Sequence, residues 1–240
     1  MTEIDEARYR NFQHYIDEGW SKEPKKTFQR VRRAAGTLGL ERARALDIGC
    51  ATGELIGYLA TEFPAWSFVG IDLFEPLIED ARRFVPAAEF LVSDLLQLDA
   101  AYDGTFDVIF AVGVISLFED EDAERFWDKV HALLRPGGTI IILGPLNEFG
   151  IDMMLRHRKW IDGKRGEWER GWSIPSRQSV EQSIAARFAG YEVTPYEQQL
   201  DLPPRKDPIR TWTVPYAGKS RQLTNGLKLL VDYYLILARR

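Results

Sequence analysis

The strongest constraint on the fold is an apolar run that ends in an acidic residue and enters a glycine turn, Leu46-Asp47-Ile48-Gly49-Cys50-Ala51-Thr52-Gly53-Glu54-Leu55. A second apolar run ends in another carboxylate, Asp72, nineteen residues after Gly53. A strand, a glycine turn and a helix, followed by a strand with an acidic end, are typical of a nucleoside-type cofactor site at the carboxyl edge of a parallel sheet. The remaining residues must indicate which cofactor this loop holds.

Apolar runs and amphipathic segments alternate from this loop to about residue 145. The runs predict strands over 44–50, 67–73, 89–93, 107–114 and 139–145. The amphipathic segments predict helices over 53–63, 76–84 and 122–134, the last ended by Arg135-Pro136-Gly137-Gly138. Because the strands are apolar throughout, both faces of the sheet should be covered by helices. The pattern predicts a doubly wound α/β sheet.

The two ends of the chain are predicted to add to this core within one domain, 1–240. Residues 5–35 read as two helices divided at Pro24, which form a helical cap over 1–35. Residues 147–175 show no period and are predicted to be an insertion that moves as a lid. Beyond it we expect a helix over 176–189 stopped by Gly190, and strands over 191–200 and 231–238. Between these two strands we expect a second insertion over 201–226, with an extended segment over 209–215 and a hairpin turn at Asn225-Gly226.

Composition narrows the possible partners and compartment. The formal net charge is −5, so no broad positive surface for nucleic acid is indicated. No apolar run is long enough to span a bilayer, so no membrane partner is expected. The first residues lack the basic and apolar parts of a signal peptide, and the single cysteine, Cys50, fits a reducing compartment. We therefore expect a cytoplasmic protein.

The glycine spacing distinguishes between nucleoside cofactors. A dinucleotide fingerprint requires G-x-G-x-x-G, whereas here Gly49, Ala51 and Glu54 occupy those positions. A dinucleotide-dependent oxidoreductase is therefore disfavoured. The form that is present, D-x-G-x-(G/A)-x-G, resembles motif I of the class I S-adenosylmethionine (SAM)-dependent methyltransferases. Later elements that follow in family order strengthen the resemblance: Val69–Leu73, Ser93-Asp94-Leu95, Phe106–Val114 and Leu133–Thr139.

The resemblance implies a fold and a cofactor site. The fold is a doubly wound, mostly parallel seven-stranded sheet with an antiparallel last strand, an N-terminal helical cap and a lid insertion. Asp47 would complement the cationic amino-acid end of SAM, Asp72 would bind the ribose hydroxyls, and Asp94 would accept from the adenine amino group. The implied cofactor-binding residues are Asp47, Gly49, Cys50, Ala51, Gly53, Asp72, Leu73, Ser93, Asp94, Leu95, Val112 and Gly113. No metal ligand is expected.

The sequence indicates the residues that bind the methyl acceptor less clearly than those that bind the cofactor. Val112-Gly113-Val114-Ile115 stands where enzymes that methylate bases or glutamine carry an Asn/Asp-Pro-Pro-Tyr/Phe tetrapeptide, so DNA is not expected as a partner. The candidates for a general base are His157, His14 and Glu148, and those for acceptor contact are Tyr15, Asn147 and Trp160. Their competing interpretations are structural: polar lid residues, and tryptophans that pin the insertion to the domain.

These observations predict methyl transfer from SAM to an oxygen or nitrogen nucleophile of a small-molecule acceptor by in-line displacement, with S-adenosylhomocysteine (SAH) as product. Two alternatives stay open. One is a methyltransferase that acts on protein or RNA, and the other is a SAM- or nucleoside-binding protein without catalysis. The second insertion is expected to contribute to the acceptor pocket or to a subunit contact in a homodimer.

Overall fold

A seven-stranded sheet forms the centre of the protein, in a computed structural model that describes residues 15–16, 19–20, 23–118, 121–158, 160–171, 173–196, 212–216, 219–224 and 232–240. Its strands are β1 (Arg44–Ile48), β2 (Ser67–Asp72), β3 (Glu89–Val92), β4 (Phe106–Val112), β5 (Leu134–Leu146), β6 (Gly190–Tyr196) and β7 (Asp232–Arg239). The spatial order is β6-β7-β5-β4-β1-β2-β3. Only β7 runs antiparallel to its neighbours, which confirms the predicted fold class.

Helices cover both faces of this sheet. The helices α1 (Lys26–Thr37), α2 (Glu54–Glu62) and α3 (Glu75–Phe84) pack on one face, and α4 (Glu121–Leu133) and α5 (Arg177–Ala185) pack on the other. Three short 3-10 helices, Leu95–Gln97, Ala100–Tyr102 and Ile115–Leu117, follow β3 and β4. Since successive strand residues face opposite helix layers, nearly every residue of the central strands is buried.

Strand β1 lies between β2 and β4, and this position fixes the place of the glycine loop. Asp47 pairs in register with Gly70 on β2 and with Phe110 on β4. The loop after β1 therefore leaves the sheet at its carboxyl edge, beside the end of β2 at Asp72. This is the edge at which open parallel sheets bind ligands.

Two predicted boundaries are wrong at the far side of the sheet. Residues 135–138 do not separate α4 from a later strand, because β5 begins at Leu134 directly after the helix. The pairing of β4 with β5 passes from Phe106↔Leu134 to Val108↔Thr139, so these residues form a large bulge within the strand. Gly190 begins β6 instead of stopping a helix, since it pairs with Arg239. Helix α5 already ends at Ala185, and its N-cap is Ser176, whose hydroxyl accepts from the Ser179 N–H.

The insertion after β5 contains regular structure that the sequence pattern did not predict. Its middle is a two-stranded antiparallel ribbon over residues 156–170, in which Arg156–His157 pair with Glu169–Arg170 and Trp160–Ile161 pair with Lys164–Arg165. Asp162 and Gly163 form the turn, with φ of 51° and 74°. A two-residue turn with both φ values positive is the hairpin type that Asp-Gly favours.

The remaining predictions near the chain ends are tested in part. Residues 212–216 pair antiparallel with 219–224, so the described part of the extended segment predicted over 209–215 lies in a strand, while 209–211 lie outside the described residues. The Asn225-Gly226 turn and most of the first predicted helix lie outside the described residues, while α1 begins just after Pro24 as predicted. Within the part of the chain that the structure describes, no helix has the length and apolarity needed to cross a membrane.

Candidate cofactor and acceptor site

The glycine loop is held against the end of β2 by backbone bonds. The N–H groups of Gly49 and Cys50 both donate to the Ile71 carbonyl, at 2.8 and 3.0 Å. Gly49 has φ of 70°, and a Cβ there would lie 2.6 Å from Val114 Cγ1, so glycine is required on both grounds. Gly53 has φ of 76° and caps α2. The loop therefore presents bare backbone at the carboxyl edge, where a ligand can approach closely.

Ala51 adopts a left-handed conformation with φ of 47°, which is unfavourable for a residue with a Cβ. The bond that accompanies this conformation joins the loop to β2, since the Ala51 N–H donates to Asp72 Oδ2 at 3.0 Å. The other Asp72 oxygen accepts from the Phe74 N–H at 3.1 Å. The Leu73 N–H also acts on this carboxylate. Since each carboxylate oxygen has two acceptor sites, Asp72 still has the capacity to accept from a ribose.

Asp47 is a buried carboxylate at the end of β1. It is 3% exposed, and among the described residues only the Asp72 charge, and no hydrogen-bond donor or cation, acts on it. Burial raises its pKa well above the usual value, and the nearby Asp72 charge raises it further. Burial also raises the pKa of Asp72, against the lowering effect of its backbone N–H donors. Two neighbouring carboxylates with no cation beside them in the described part of the chain form a site that fits a positively charged ligand.

The other predicted cofactor residues lie around this loop in different environments. Ser93 follows β3, and its N–H donates to the Asp72 carbonyl. Asp94 caps the next 3-10 helix by accepting from the Leu96 N–H at 2.9 Å. Leu95 is 4% exposed and packs in the core. Leu73, Val112 and Gly113 are half-buried. The structure thus brings Asp47, Asp72 and Ser93 together at one edge, with Leu95 turned into the core beneath them.

Cys50 is a packing residue of the loop. Its side chain is buried, and its Sγ would lie 2.8 Å from a Cβ placed at Gly70. Burial is the main cause that raises the pKa of its thiol far above the usual value, and the charges of Asp47 and Asp72 add to that rise. The thiol therefore stays protonated and unreactive.

Asn147 closes the base of the insertion. It is 1% exposed, and its Nδ2 donates to the Ile151 carbonyl at 2.8 Å and lies 3.3 Å from the Ile174 and Pro175 carbonyls. Its Oδ1 accepts from the Phe149 N–H at 3.1 Å. Since the amide is occupied by both ends of the insertion, its contacts are those of a positioning residue at the acceptor edge.

Glu148 follows Asn147 and belongs to an ionic network. Its Oε1 accepts from the Tyr234 hydroxyl at 2.5 Å and lies 3.3 Å from Arg177 Nη1. Tyr234 comes from β7 and was not predicted as a site residue, because its proximity to Glu148 depends on the register of β7 against β5. A base role for Glu148 would have to operate within these two contacts.

The remaining acceptor-side candidates are spread over three segments. His157 is half-buried on the ribbon, opposite Glu169, and Trp160 near the ribbon turn is 67% exposed. Tyr15 is half exposed and close to Tyr233 on β7. Burial raises the pKa of Tyr233 to about 12, and Tyr15 contributes to that rise. His14 lies outside the described residues. Tyr15, Asn147 and Glu148 lie near β7 and the end of β5, and their predicted roles stay predictions.

The fold and the carboxyl edge define a class of protein: an α/β protein with a nucleoside-type site after β1 and β2, and an insertion after β5. Residues 45–138 match the family model described as a methyltransferase domain. This match, over about two fifths of the chain, confirms the resemblance of that segment to the class I, Rossmann-like, SAM-dependent methyltransferases.

Similar proteins extend the comparison. The trans-aconitate 2-methyltransferase of Variovorax paradoxus (strain S110) is 35% identical over 107 residues, 45% of this chain and 40% of that protein. The demethylmenaquinone methyltransferase of Thermus thermophilus is 33% identical over 132 residues, 51% of this chain and 59% of that protein. The chain thus matches only about half the length of these relatives.

A solved structure shows the same fold over nearly the whole chain. The N-methyltransferase NodS from Bradyrhizobium japonicum WM9, in complex with SAH, superposes with a TM-score of 0.61 over 97% of this chain and 98% of that chain. The sequence identity is 16%, so this likeness concerns the fold alone.

Proposed function

We propose that this protein transfers a methyl group from SAM to an oxygen or nitrogen nucleophile of a small-molecule acceptor. The observation that carries the proposal is the buried Asp47 carboxylate, which lies beside Asp72 with no cation among the described residues. A dinucleotide would bring a pyrophosphate to this edge, where two carboxylates would repel it. SAM brings an ammonium and a sulfonium instead.

The residues that would hold SAM follow from the geometry of the edge. Asp72 would accept from the ribose hydroxyls with the lone pairs left by the Ala51 and Phe74 N–H groups. Asp47 would neutralise the cationic amino-acid end. Gly49 and Gly53 would leave the backbone open to the ligand. When bound, SAM supplies a methyl group already activated by a positively charged sulfur.

The chain then has to position the acceptor and exclude water. An in-line displacement needs the nucleophile, the methyl carbon and the sulfur close to one line, so holding the acceptor in place contributes most of the rate. A hydroxyl acceptor would need a base, for which His157, His14 and Glu148 stay the candidates. An amine acceptor need only be neutral, so the protein can act without a dedicated base.

The acceptor class is supported by the kinds of protein that resemble this chain. Trans-aconitate and demethylmenaquinone are the small molecules in the names of two relatives, and NodS is an N-methyltransferase. The first two names give different acceptors and the third specifies nitrogen, so together they support a small molecule and do not select one. We also propose that 147–175 and 201–226 frame the acceptor region of a single domain, and that the protein acts in the cytoplasm.

Calorimetry with SAH and with NAD tests the donor site. We expect SAH to bind and NAD not to bind. Asp72→Asn should weaken SAH binding by about 10- to 100-fold, because it removes charge-assisted bonds worth about 1.5–3 kcal/mol. Asp99→Asn is the matched control, since Asp99 is an exposed carboxylate that caps a 3-10 helix and its replacement amide can still accept from Ala101. Unchanged SAH affinity in Asp72→Asn would contradict the ribose assignment.

Turnover tests the acceptor. Labelled SAM should transfer its methyl group to one or more members of a panel of small carboxylic acids, phenols and amines. Methylation of bulk tRNA or protein in place of every small acceptor would contradict a small-molecule function. SAH binding without any transfer would indicate a binding protein without catalysis.

A further inference from the structure

The ribbon over residues 156–170 protrudes from the acceptor side of the sheet. Its base is fixed between the ends of β4 and β5, because the Ser173 N–H donates to the Ser116 carbonyl at 3.1 Å and Gly171 donates to Leu155 at 2.7 Å. Beyond this base, the described side chains at the ribbon turn, 162–165, are all exposed. An isolated two-stranded hairpin is only marginally stable in water, so this ribbon is a surface that gains from a bound partner.

The ribbon brings arginine and tryptophan side chains together. Arg156 and Trp160 lie in two successive short strands, and the exposed Arg158 lies between them in sequence. Arg165 pairs with Trp160, and the Arg158 guanidinium lies over the Trp168 ring, so each tryptophan lies beside an arginine. The registers leave one extra residue between Arg165 and Glu169, which is a bulge. We call these five residues the Arg/Trp face; it contains no acidic side chain.

The cations and rings of this face are already in contact. The guanidinium of Arg158 lies 4.6 Å from the centroid of the Trp168 ring, and that of Arg165 lies 5.4 Å from the centroid of Trp160. Even so, Trp160 is 67% and Trp168 55% exposed. Within the described part of the chain, no carboxylate lies within ion-pair distance of Arg158 or Arg165. Two exposed rings and two arginines without an ion pair among the described residues therefore lie together on the ribbon of a protein with net charge −5.

This combination selects the chemistry of the partner. Aromatic rings stack on tryptophan, and guanidinium groups pair with carboxylate and phosphate through two parallel bonds. Arg158 and Trp160 are two residues apart in sequence, so their backbones lie at most about 7 Å apart. A planar ring could therefore lie on the tryptophan while an acidic substituent of the same molecule meets the neighbouring guanidinium.

Two larger partners fit this face less well. A lipid surface would require an apolar tip, whereas the ribbon turn is Asp162-Gly163 followed by Lys164 and Arg165. An RNA strand would require phosphate contacts over a longer positive surface, whereas the face has only five residues and the rest of the chain is acidic. A small anion with an aromatic ring matches both the size and the charge of the face.

We propose that the Arg/Trp face of the ribbon binds the methyl acceptor, and that this acceptor is a planar ring bearing a carboxylate or a phosphate. The proposal rests on the proposed function, since it assigns the acceptor of the same transfer. Asn147 and the bonds at the base of the insertion would then hold the recognition surface at a fixed place beside the donor site.

The test uses 1-naphthyl phosphate as the probe, with the full chain saturated with SAH. The indole N–H signals of Trp160 and Trp168, assigned from Trp160→Phe and Trp168→Phe, are followed by NMR. We expect both signals to move on titration. 1-Naphthyl phosphate should bind at least about tenfold more tightly than inorganic phosphate or 2-naphthol, which carry the charge or the ring alone. 1-Naphthoate is titrated in parallel to separate carboxylate from phosphate recognition.

Paired arginine variants supply the control. Arg158→Gln/Arg165→Gln should raise the dissociation constant of 1-naphthyl phosphate at least about tenfold, whereas Arg33→Gln/Arg42→Gln, which removes the same charge from two exposed positions elsewhere, should leave it unchanged. Equal losses in the two pairs, or indole signals that do not move up to about 1 mM probe, would overturn the proposal. Bulk tRNA that moves these signals in preference to the naphthyl probe would overturn it in favour of RNA.

The same samples separate this proposal from the proposed function. SAH affinity measured by calorimetry should be equal in the wild type and in both arginine pairs, because neither pair contacts the glycine loop. Retained SAH binding with no probe binding refutes the acceptor assignment alone. Absence of SAH binding in the wild type refutes the proposed function, whatever the ribbon binds.

Discussion

Replacement of Asp47 by asparagine should make the free protein more stable and its cofactor site weaker. Asp47 is 3% exposed, has no cation among the described residues, and lies close enough to Asp72 for the two charges to repel. Asparagine has nearly the same shape and no charge. Since a buried unpaired carboxylate destabilises a fold, we expect Asp47→Asn to raise the free energy of unfolding by about 1–3 kcal/mol at pH 8.

The gain should depend on pH in a defined direction. Burial raises the pKa of Asp47 above its ordinary value of 3.8. A carboxyl whose pKa is higher in the folded state lowers stability as the pH rises from the unfolded pKa through the folded one. Asparagine does not titrate. The advantage of Asp47→Asn should therefore vanish below about pH 4 and increase with rising pH above it.

Cofactor binding should change in the opposite direction. Loss of the carboxylate removes the group that would neutralise the cationic end of the ligand. SAH affinity should fall by about 10- to 100-fold, the equivalent of about 1.5–3 kcal/mol. Urea unfolding at pH 5 and pH 8 measures the first effect, and calorimetry with SAH measures the second. Asp99→Asn, at an exposed carboxylate, serves as the control for both.

Two outcomes would refute this reasoning. If Asp47→Asn lowered stability at every pH, the carboxylate would have a stabilising partner within the protein. If the variant bound SAH as tightly as the wild type, Asp47 would not face the cationic end of the ligand. Asp47→Asn must therefore both raise the free energy of unfolding and lower the affinity for SAH.

Two further substitutions test the loop and the insertion. Ala51→Gly should raise the free energy of unfolding by about 1 kcal/mol, because glycine accepts the φ of 47° without strain. SAH affinity should stay unchanged, because glycine keeps the N–H that donates to Asp72. Destabilisation in urea would contradict the left-handed conformation of Ala51. Asn147→Ala should lower the free energy of unfolding by about 2–3 kcal/mol and expose 147–175 to limited proteolysis, because buried carbonyls lose their donor. The control Gln178→Ala, at an exposed position, should change the free energy of unfolding by less than about 0.5 kcal/mol. Equal effects of the two variants would show that Asn147 does not hold the insertion.

The central sheet could be predicted from the sequence because its strands obey one physical rule. Each is apolar throughout, so its type and its burial on both faces follow from composition alone. The positions of Asp47 and Asp72 also follow, since both residues end strands and parallel strands end at one edge. The prediction that residues 135–138 separate a helix from a later strand was wrong. Pro and Gly break helices locally, but the pairing of β5 with β4 and β7 includes these residues in the strand as a bulge.

The ribbon over 156–170 and the contact between Tyr234 and Glu148 could not be predicted, for a different reason. The ribbon strands are two residues long and carry charges on both faces, so no hydrophobic period marks them. One local signal was present, Asp162-Gly163, which favours a two-residue hairpin turn. The bond between Tyr234 and Glu148 joins residues 86 apart in sequence, and only the register of β7 beside β5 brings them together.

Donor and acceptor recognition are built from different kinds of structure, and this difference bears on how the protein can change. The donor site uses backbone N–H groups and two carboxylates at strand ends, whose places are fixed by the buried sheet, so a change there alters stability as well as binding. The described side chains of the ribbon are mostly exposed, and none of them belongs to the buried core. Its side chains can therefore be exchanged at almost no cost in stability. If the Arg/Trp face reads the acceptor, substitutions within 156–170 should change which acceptor is methylated while SAH affinity stays constant, because distant sites without shared partners act independently.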